Sequence, residues 1–379
     1  DFTASITDED GNSYADAANV VAIDAATSGT ITTTSVTELR GTSDNIVSSA
    51  TSSQVTKDAD LLFNVSSGSA SVAQINTLDA LTTNVITATI TENDAATLIT
   101  LDNDNGNNAL TIEVTDSEVS ASNLATIASS TSVAVDGTAV TTIEGSLDNV
   151  KSVFASGGVT LTVSGSSAVD ARITNSTVAA ADVKTVDAAT AGSVNINTAT
   201  SITGTASDIA SVMASSGVSH VASTLTATVD GASVDAADLI TINANTDKAV
   251  AASAATEITG TDDNIAAVLG ASSQITINSA APLTVDDGTA SIANVIIMSG
   301  TPVVTATVDS GVLADLVHST NGLPDSAKNI LSITVATTNV DPADLTDLSG
   351  KTVSAVNVSN VTTLTGAASD AVALYDAGS

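Results

Sequence analysis

The residues of this chain best suited to chemistry are oxygen ligands in two short loops. Asp102-Asn103-Asp104-Asn105-Gly106-Asn107 alternates oxygen-bearing side chains and puts a glycine where a cation loop turns sharply, the pattern by which calcium collects its ligands. Asp8-Glu9-Asp10-Gly11-Asn12 is a shorter relative. Calcium is therefore the one cofactor the sequence suggests, with Asp102, Asp104 and Gly106 as a first candidate site and Asp8 and Asp10 as a second. Neither loop carries the full calcium-loop pattern with its closing glutamate. A plain turn accounts for both, the second more readily than the first.

Other constellations carry less. Asn or Asp recurs at 19, 45, 123, 149, 182, 208, 238, 264, 344 and 370, a ladder that a metal array would explain. The free exchange of the two residue types fits local hydrogen bonding at helix starts better, since a hard cation prefers carboxylates. His220 and His318, the only histidines, fall in unlike surroundings and are read as incidental. Asp309-Ser310-Gly311 resembles half of an aspartic-protease pair, with no second copy to share its proton. Sequons at Asn64, Asn175, Asn357 and Asn360 arise readily by chance in a chain rich in Asn and Thr. No phosphate loop, dinucleotide fingerprint or zinc spacing occurs, and the chain is read as non-enzymatic.

Charge narrows the partners. The chain has 42 acidic and 8 basic residues, a formal net charge of −34. Nucleic acid is excluded as a partner, because phosphate binding needs clustered Lys and Arg. No apolar run approaches the ~20 residues that span a bilayer, so no membrane insertion is expected. An acidic, Lys-poor surface suits a salty exterior, where repulsion is screened. The absence of cysteine is compatible with export if buried area replaces disulfides. The opening Asp1-Phe2-Thr3 shows no signal peptide and reads as a processed or excised start.

Hydrophobic residues make up 43% of the chain, too many for a solvated coil. Only 1% are aromatic, so the core must be thin and built from Ala, Val, Ile and Leu. Stacked repeats provide such a core. The copies Val20–Thr27, Val183–Thr190 and Leu239–Thr246 share one pattern, with weaker copies from Ile75, Leu124, Val295 and Leu345. The apolar residue three places into each copy recurs at 23, 78, 127, 186, 242, 298 and 348, on average about 54 residues apart, near the spacing of solenoids. A second motif, Gly204-Thr205-Ala206-Ser207-Asp208-Ile209, has relatives at Gly41, Gly145, Gly260 and Gly366. The opening residue of the first motif and the closing residue of the second lie 26 apart in five copies: 20 to 46, 124 to 150, 183 to 209, 239 to 265, and 345 to 371.

These spacings predict a repeat solenoid of strand–helix coils, two coils per repeat, with parallel sheets on some sides and short helices on another. The repeats are placed at 1–56, 57–107, 108–157, 158–217, 218–273, 274–326 and 327–379, with the second and sixth irregular, together forming one continuous solenoid. Thr205 is the expected N-cap of a helix, Asp208 the far end of a capping-box variant, and Gly217 its left-handed C-cap, with Gly157 and Gly322 in the same role. Strands are expected at 159–163, 224–229, 275–277, 283–285 and 333–335, with turns at Asp136-Gly137, Asp230-Gly231 and Asp287-Gly288. No distinct capping repeat is evident at either end, which points to an excerpt of a longer chain or to ends covered by neighbouring copies.

The stretches Ala181–Gly192 and Ser201–Gly217 resemble the repeat regions of giant bacterial extracellular surface proteins of the cyanobacterial type, including surface-layer and adhesin-like chains. That resemblance implies an extracellular or cell-surface location. The nine-residue Gly-Gly-x-Gly-x-Asp calcium repeats of that wider group are absent. The expected function is a structural, self-assembling subunit of a surface layer, sheath or fibre, polymerising head-to-tail or laterally with itself. The alternative is a non-assembling stalk or binding module of an adhesin or phage-type fibre. A polysaccharide lyase is the weakest reading, since only Arg40 and Arg172 are available.

Overall fold

The structure is a computed structural model that describes residues 2–7, 11, 13–102, 108–163, 165, 168–286, 288–299, 303–309, 311–317, 322–323, 325 and 328–377. It is an α/β fold of short parallel strands and, among the described residues, 14 helices. Two compact units are distinguished, 1–175 with 185–196 and 176–184 with 197–379. No helix among the described residues is long and apolar enough to cross a membrane.

In the first unit Tyr14–Asp16, Glu38–Gly41, Leu62–Val65, Ile86–Thr89 and Ala109–Thr111 pair in that order, all parallel. Ala4–Ser5, Ile31–Thr32 and Val55–Thr56 form a second ladder. Glu118–Ser120, Thr142–Gly145, Asp170–Ile173 and Val194–Asn195 form a third. The second unit repeats the scheme. Thr177–Ala179, Ser201–Gly204, Thr226–Val229, Val250–Ala252 and Ile275–Ile277 make one ladder. Ser233–Asp235, Glu257–Gly260, Leu283–Val285, Val304–Thr307 and Ile330–Ser332 make another.

Helices start at Ala17 and Ser43, Ala121 and Leu147, Ala180 and Ala206, Ala236 and Asp262, and Pro342 and Ala368, each pair 26 residues apart. Two pairs depart from this. Val72 and Ala95 are closer, as are Ile292 and Leu313, and in both the second helix shrinks, to Ala95–Leu98 and Leu313–Val317.

The helices begin where the chain offers a hydroxyl. Thr42, Ser146, Thr205 and Thr261 each accept the backbone N–H three residues on, satisfying a donor that the helix itself cannot. The capping box expected at Thr205 is only half formed. The Asp208 carboxylate does not reach back to the Thr205 backbone but accepts from the Thr205 hydroxyl and from Lys184, each at 3.0 Å. The complete box is at Ser71 and Gln74. Gly157 is a left-handed C-cap, but helix Ala206–Ala214 ends on an extended Ser215 and Gly217 takes no positive φ, while Gly322 follows directly on residues outside the described ones.

The glycine that opens the second motif has a different duty. Gly204, at φ +146°, closes a strand directly beside the first turn of the preceding helix, where an added Cβ would sit 3.3 Å from the Ala180 Cβ. Gly260 stands against Ala236 in the same way, at φ +137°. Glycine over alanine is what lets the strand end and helix start approach this closely.

The core is built from Ala, Val, Ile and Leu, and Phe63 is the one aromatic side chain fully buried among the described residues. Leu39, Ile143, Ile202 and Ile258 occupy one ladder position and are each 0% exposed. Strand Ile330–Ser332 lies just before the expected 333–335, where Thr334 and Val335 form only isolated bridges.

Polar staples tie each strand–helix segment to the one before. Thr27, Thr82, Thr131, Thr190 and Thr352 are buried, and each hydroxyl donates to a carbonyl of the preceding segment, on Phe2, Leu61, Leu110, Val169 and Leu331, at 2.6–3.0 Å. Thr246 does the same to Leu225. Each hydroxyl also accepts the N–H two residues on. A second set lies on the surface. Thr37, Thr141, Thr200, Thr256 and Thr362 give both N–H and hydroxyl to the carbonyl 24 residues back.

Replacing Thr190 by valine keeps its volume but strands a buried carbonyl and N–H, so urea unfolding should show a loss of about 1–3 kcal/mol. Thr190→Ser, which keeps the hydroxyl, should lose distinctly less. Gly204→Ala should destabilise by about 1–3 kcal/mol through its positive φ.

Candidate functional site

The calcium candidates divide sharply. Asp8, Asp10, Asp104 and Gly106 lie outside the described residues. The backbone N–H of Asp102 donates to Asn76 Oδ1 at 2.8 Å, and Asn76 Nδ2 donates to the Thr100 carbonyl at 2.7 Å. Asp79, at the end of helix Val72–Asp79, is buried and accepts from Asn108 Nδ2 at 2.8 Å, while Asn108 Oδ1 accepts the Ile86 N–H. Its second oxygen meets no hydrogen-bond donor among the described residues. No group of three or more His, Asp or Glu placed to hold a metal ion occurs among the described residues.

The Asn and Asp ladder sits on helix starts. The backbone N–H groups of Asn45, Asn123, Asn149, Asp208 and Asn264 are the ones capped by the preceding Ser or Thr. The side chain at that position answers to its neighbours. At Asp208, hydrogen bonds from Lys184 and Thr205 hold the carboxyl below its ordinary range. At Asp238, burial and then the Asp235 charge push it above that range.

Several carboxylates and amides are used up on helix starts in adjacent segments. Glu92 accepts the Val72 N–H at 3.0 Å, Asp116 that of Ala95 at 2.6 Å and Asn175 that of Leu147 at 2.7 Å. Anionic acceptors suit these positive helix ends. Arg40 bonds Glu38 at 2.8 Å and stacks 4.1 Å from the Tyr14 ring centre, and Arg172 joins Glu118 and Glu144. Lys351 is nearly buried between Asp325 and Asp347, where the two carboxylates outweigh the burial that would otherwise lower its pKa.

His220 Nε2 meets the Asn245 carbonyl at 3.0 Å, and His318 and Ser310 lie outside the described residues. Asp309 accepts from the Thr289 hydroxyl. Among the sequons, Asn64 donates to Glu38 and Asn360 to the Val335 carbonyl, so both amide nitrogens are engaged.

What residue types did not announce is an open apolar edge on the second unit. Strand Thr363–Leu364 pairs with Asn339–Val340 on one side and has no strand on the other among the described residues. Leu364 is 48% exposed, although the four side chains at its ladder position elsewhere are fully buried. On helix Ala368–Ala377, Val372 and Tyr375 are exposed, Tyr375 by 80%. A groove of about 430 Å³ runs beside it, lined by Leu345, Ser349, Val356, Val358 and Leu374. The first unit has an open edge of its own at Ala4–Ser5, which pairs only with Ile31–Thr32 among the described residues. Phe2, whose carbonyl accepts from Thr27 as those of Val169 and Leu225 accept from Thr190 and Thr246, is 52% exposed, whereas Val169 and Leu225 are buried.

The two carboxyls should respond oppositely to pH. A depressed group stabilises above its ordinary value and loses that contribution as pH falls through its folded pKa; a raised group contributes only below its ordinary value, and that is lost as pH rises. Asp208→Asn should therefore weaken the fold at neutral pH and Asp238→Asn strengthen it, each by at most about 1 kcal/mol. Both differences should vanish below the carboxylate range, as read from denaturant midpoints. Comparison with family models, with characterised proteins and with solved structures finds no match to this chain.

Proposed function

We propose that each unit is a solenoid of strand–helix coils and that the protein is a structural, extracellular one, a self-assembling subunit or segment of a surface layer, sheath or fibre. The observation that carries this reading is the recurrence, in both units, of short parallel strands in ladders and of helix starts 26 residues apart.

Three further features fit. The staples and ladders recur from coil to coil, so stability accumulates through nearest-neighbour contacts, as solenoids require. The chain is taken as non-enzymatic, its carboxylates spent on helix caps and ion pairs. Its acidity suits a salt-rich exterior, and the resemblance to giant bacterial surface proteins belongs to the same proposal.

One observation favours the stalk or binding module instead. A charge of −34 per copy repels other copies, and at low ionic strength that repulsion reaches well beyond contact. Electron microscopy and sedimentation across a salt series, with and without calcium, separate the two readings. Ordered polymers appearing as salt or calcium rises are expected of the subunit. Monomers under every condition would leave the stalk.

A further inference from the structure

An N-linked glycan needs an asparagine whose amide nitrogen is free to react and a hydroxyl two residues on that a transferase can hold. The four sequons of this chain are separated on that test by their hydrogen bonds. Asn64 is half-buried in a ladder, where its Nδ2 donates to Glu38 Oε1 at 2.9 Å. Asn360 gives its Nδ2 to the Val335 carbonyl, and the hydroxyl of its sequon, on Thr362, donates to the Thr338 carbonyl, each at 3.2 Å. Asn175 is half-buried, and its Oδ1 accepts the Leu147 N–H at 2.7 Å across to a helix start.

Asn357 differs from all three. It is exposed, as are Val358 and Ser359. Its Oδ1 accepts the Ser359 N–H at 3.0 Å, an Asx turn that folds the sequon on itself. Its Nδ2 and the Ser359 hydroxyl meet no hydrogen-bond partner among the described residues. The backbone beneath is fixed, since the Asn357 N–H donates to the Ile333 carbonyl and its own carbonyl accepts the Val335 N–H, both at 2.9 Å.

Asp136 shows that this exposure belongs to the coil. It makes the same backbone pairs, with Ile112 at 2.9 Å and Val114 at 2.7 Å, and its Oδ1 accepts the Thr138 N–H at 3.0 Å. A further strand covers its other side, pairing it with Thr160, and its side chain is still exposed. The outward direction at Asn357 therefore does not depend on what lies beyond it in the ladder. Asp136 carries a carboxylate in that turn; Asn357 carries an amide that can be modified.

We propose that Asn357 is an N-glycosylation acceptor, served by an oligosaccharide carried on a lipid diphosphate. Nδ2 attacks the anomeric carbon, and the new C–N bond forms as the bond from that carbon to the diphosphate oxygen breaks. The lipid diphosphate leaves, and one Nδ2 proton passes to a base of the transferase. Ser359 supplies the hydroxyl that the transferase holds. The proposal rests on the extracellular reading above, because such donors serve exported chains.

The folded chain is incubated with a lipid-diphosphate oligosaccharide and an oligosaccharyltransferase that modifies a synthetic peptide of residues 353–359. Intact mass and peptide mapping should show one glycan per chain, on Asn357. Asn357→Gln and, separately, Ser359→Ala should abolish it with circular dichroism unchanged, and Ser359→Thr should keep it. A folded chain that takes no glycan while the peptide does, or takes it on Asn64, Asn175 or Asn360 instead, would overturn the proposal. Protease shaving of intact source cells reads location separately. A chain shaved from the surface with Asn357 bare would overturn the site and leave the extracellular reading standing, whereas a chain confined inside the cell would overturn both.

Discussion

A parallel strand of two to four residues cannot hold itself in place, and this fold is made of such strands. Each presents N–H and C=O groups on both sides, and a buried polar group left unmet costs as much as a lost hydrogen bond. Every strand–helix segment therefore depends on the segment before and after it. The buried threonines are the clearest sign of that dependence. Thr190 sits where the chain leaves a helix, and its hydroxyl closes the Val169 carbonyl while taking the Gly192 N–H. One side chain thereby satisfies two backbone groups in two segments, and its position in the chain fixes the register between them.

The small-residue composition follows from the same geometry. Strand ends and helix starts meet at Gly204 over Ala180 and Gly260 over Ala236, where the positive φ of both glycines strains any residue with a Cβ. The fully buried side chains are overwhelmingly Ala, Val, Ile and Leu, with Phe63 the one fully buried aromatic among the described residues. Among the described residues, Asp and Asn alternate near the helix starts, where it is their backbone N–H that takes the Ser or Thr cap.

Helix starts were legible because a Ser or Thr cap leaves a local signature; Thr205 and Thr261 sit where spacing places them. Strands Ile275–Ile277 and Leu283–Val285 were read to the residue, since β-branched runs bounded by polar ones leave little choice. Gly217 misled because a glycine after a helix is often a left-handed cap, whereas here Ser215 had already ended the helix in extended form. The threonine that closes the first motif stands at 27, 190 and 246 in the sequence, but a threonine in a loop gives no hint that its hydroxyl is buried. The open edge was hidden for a different reason. Leu364 has the same residue class and local setting as Ile202, and only the missing neighbour in the ladder exposes it.

Parallel pairing throughout both units also restricts symmetry. In a parallel ladder the two outer edges are different surfaces, since the strand direction and the side that bears the next helix are both fixed. A two-fold axis would set like edges together and reverse one set of strands, breaking the register that the threonine staples hold. Any contact that extends these ladders between copies is therefore heterologous and does not close on itself. An array built from such contacts has a direction, with chemically distinct leading and trailing ends.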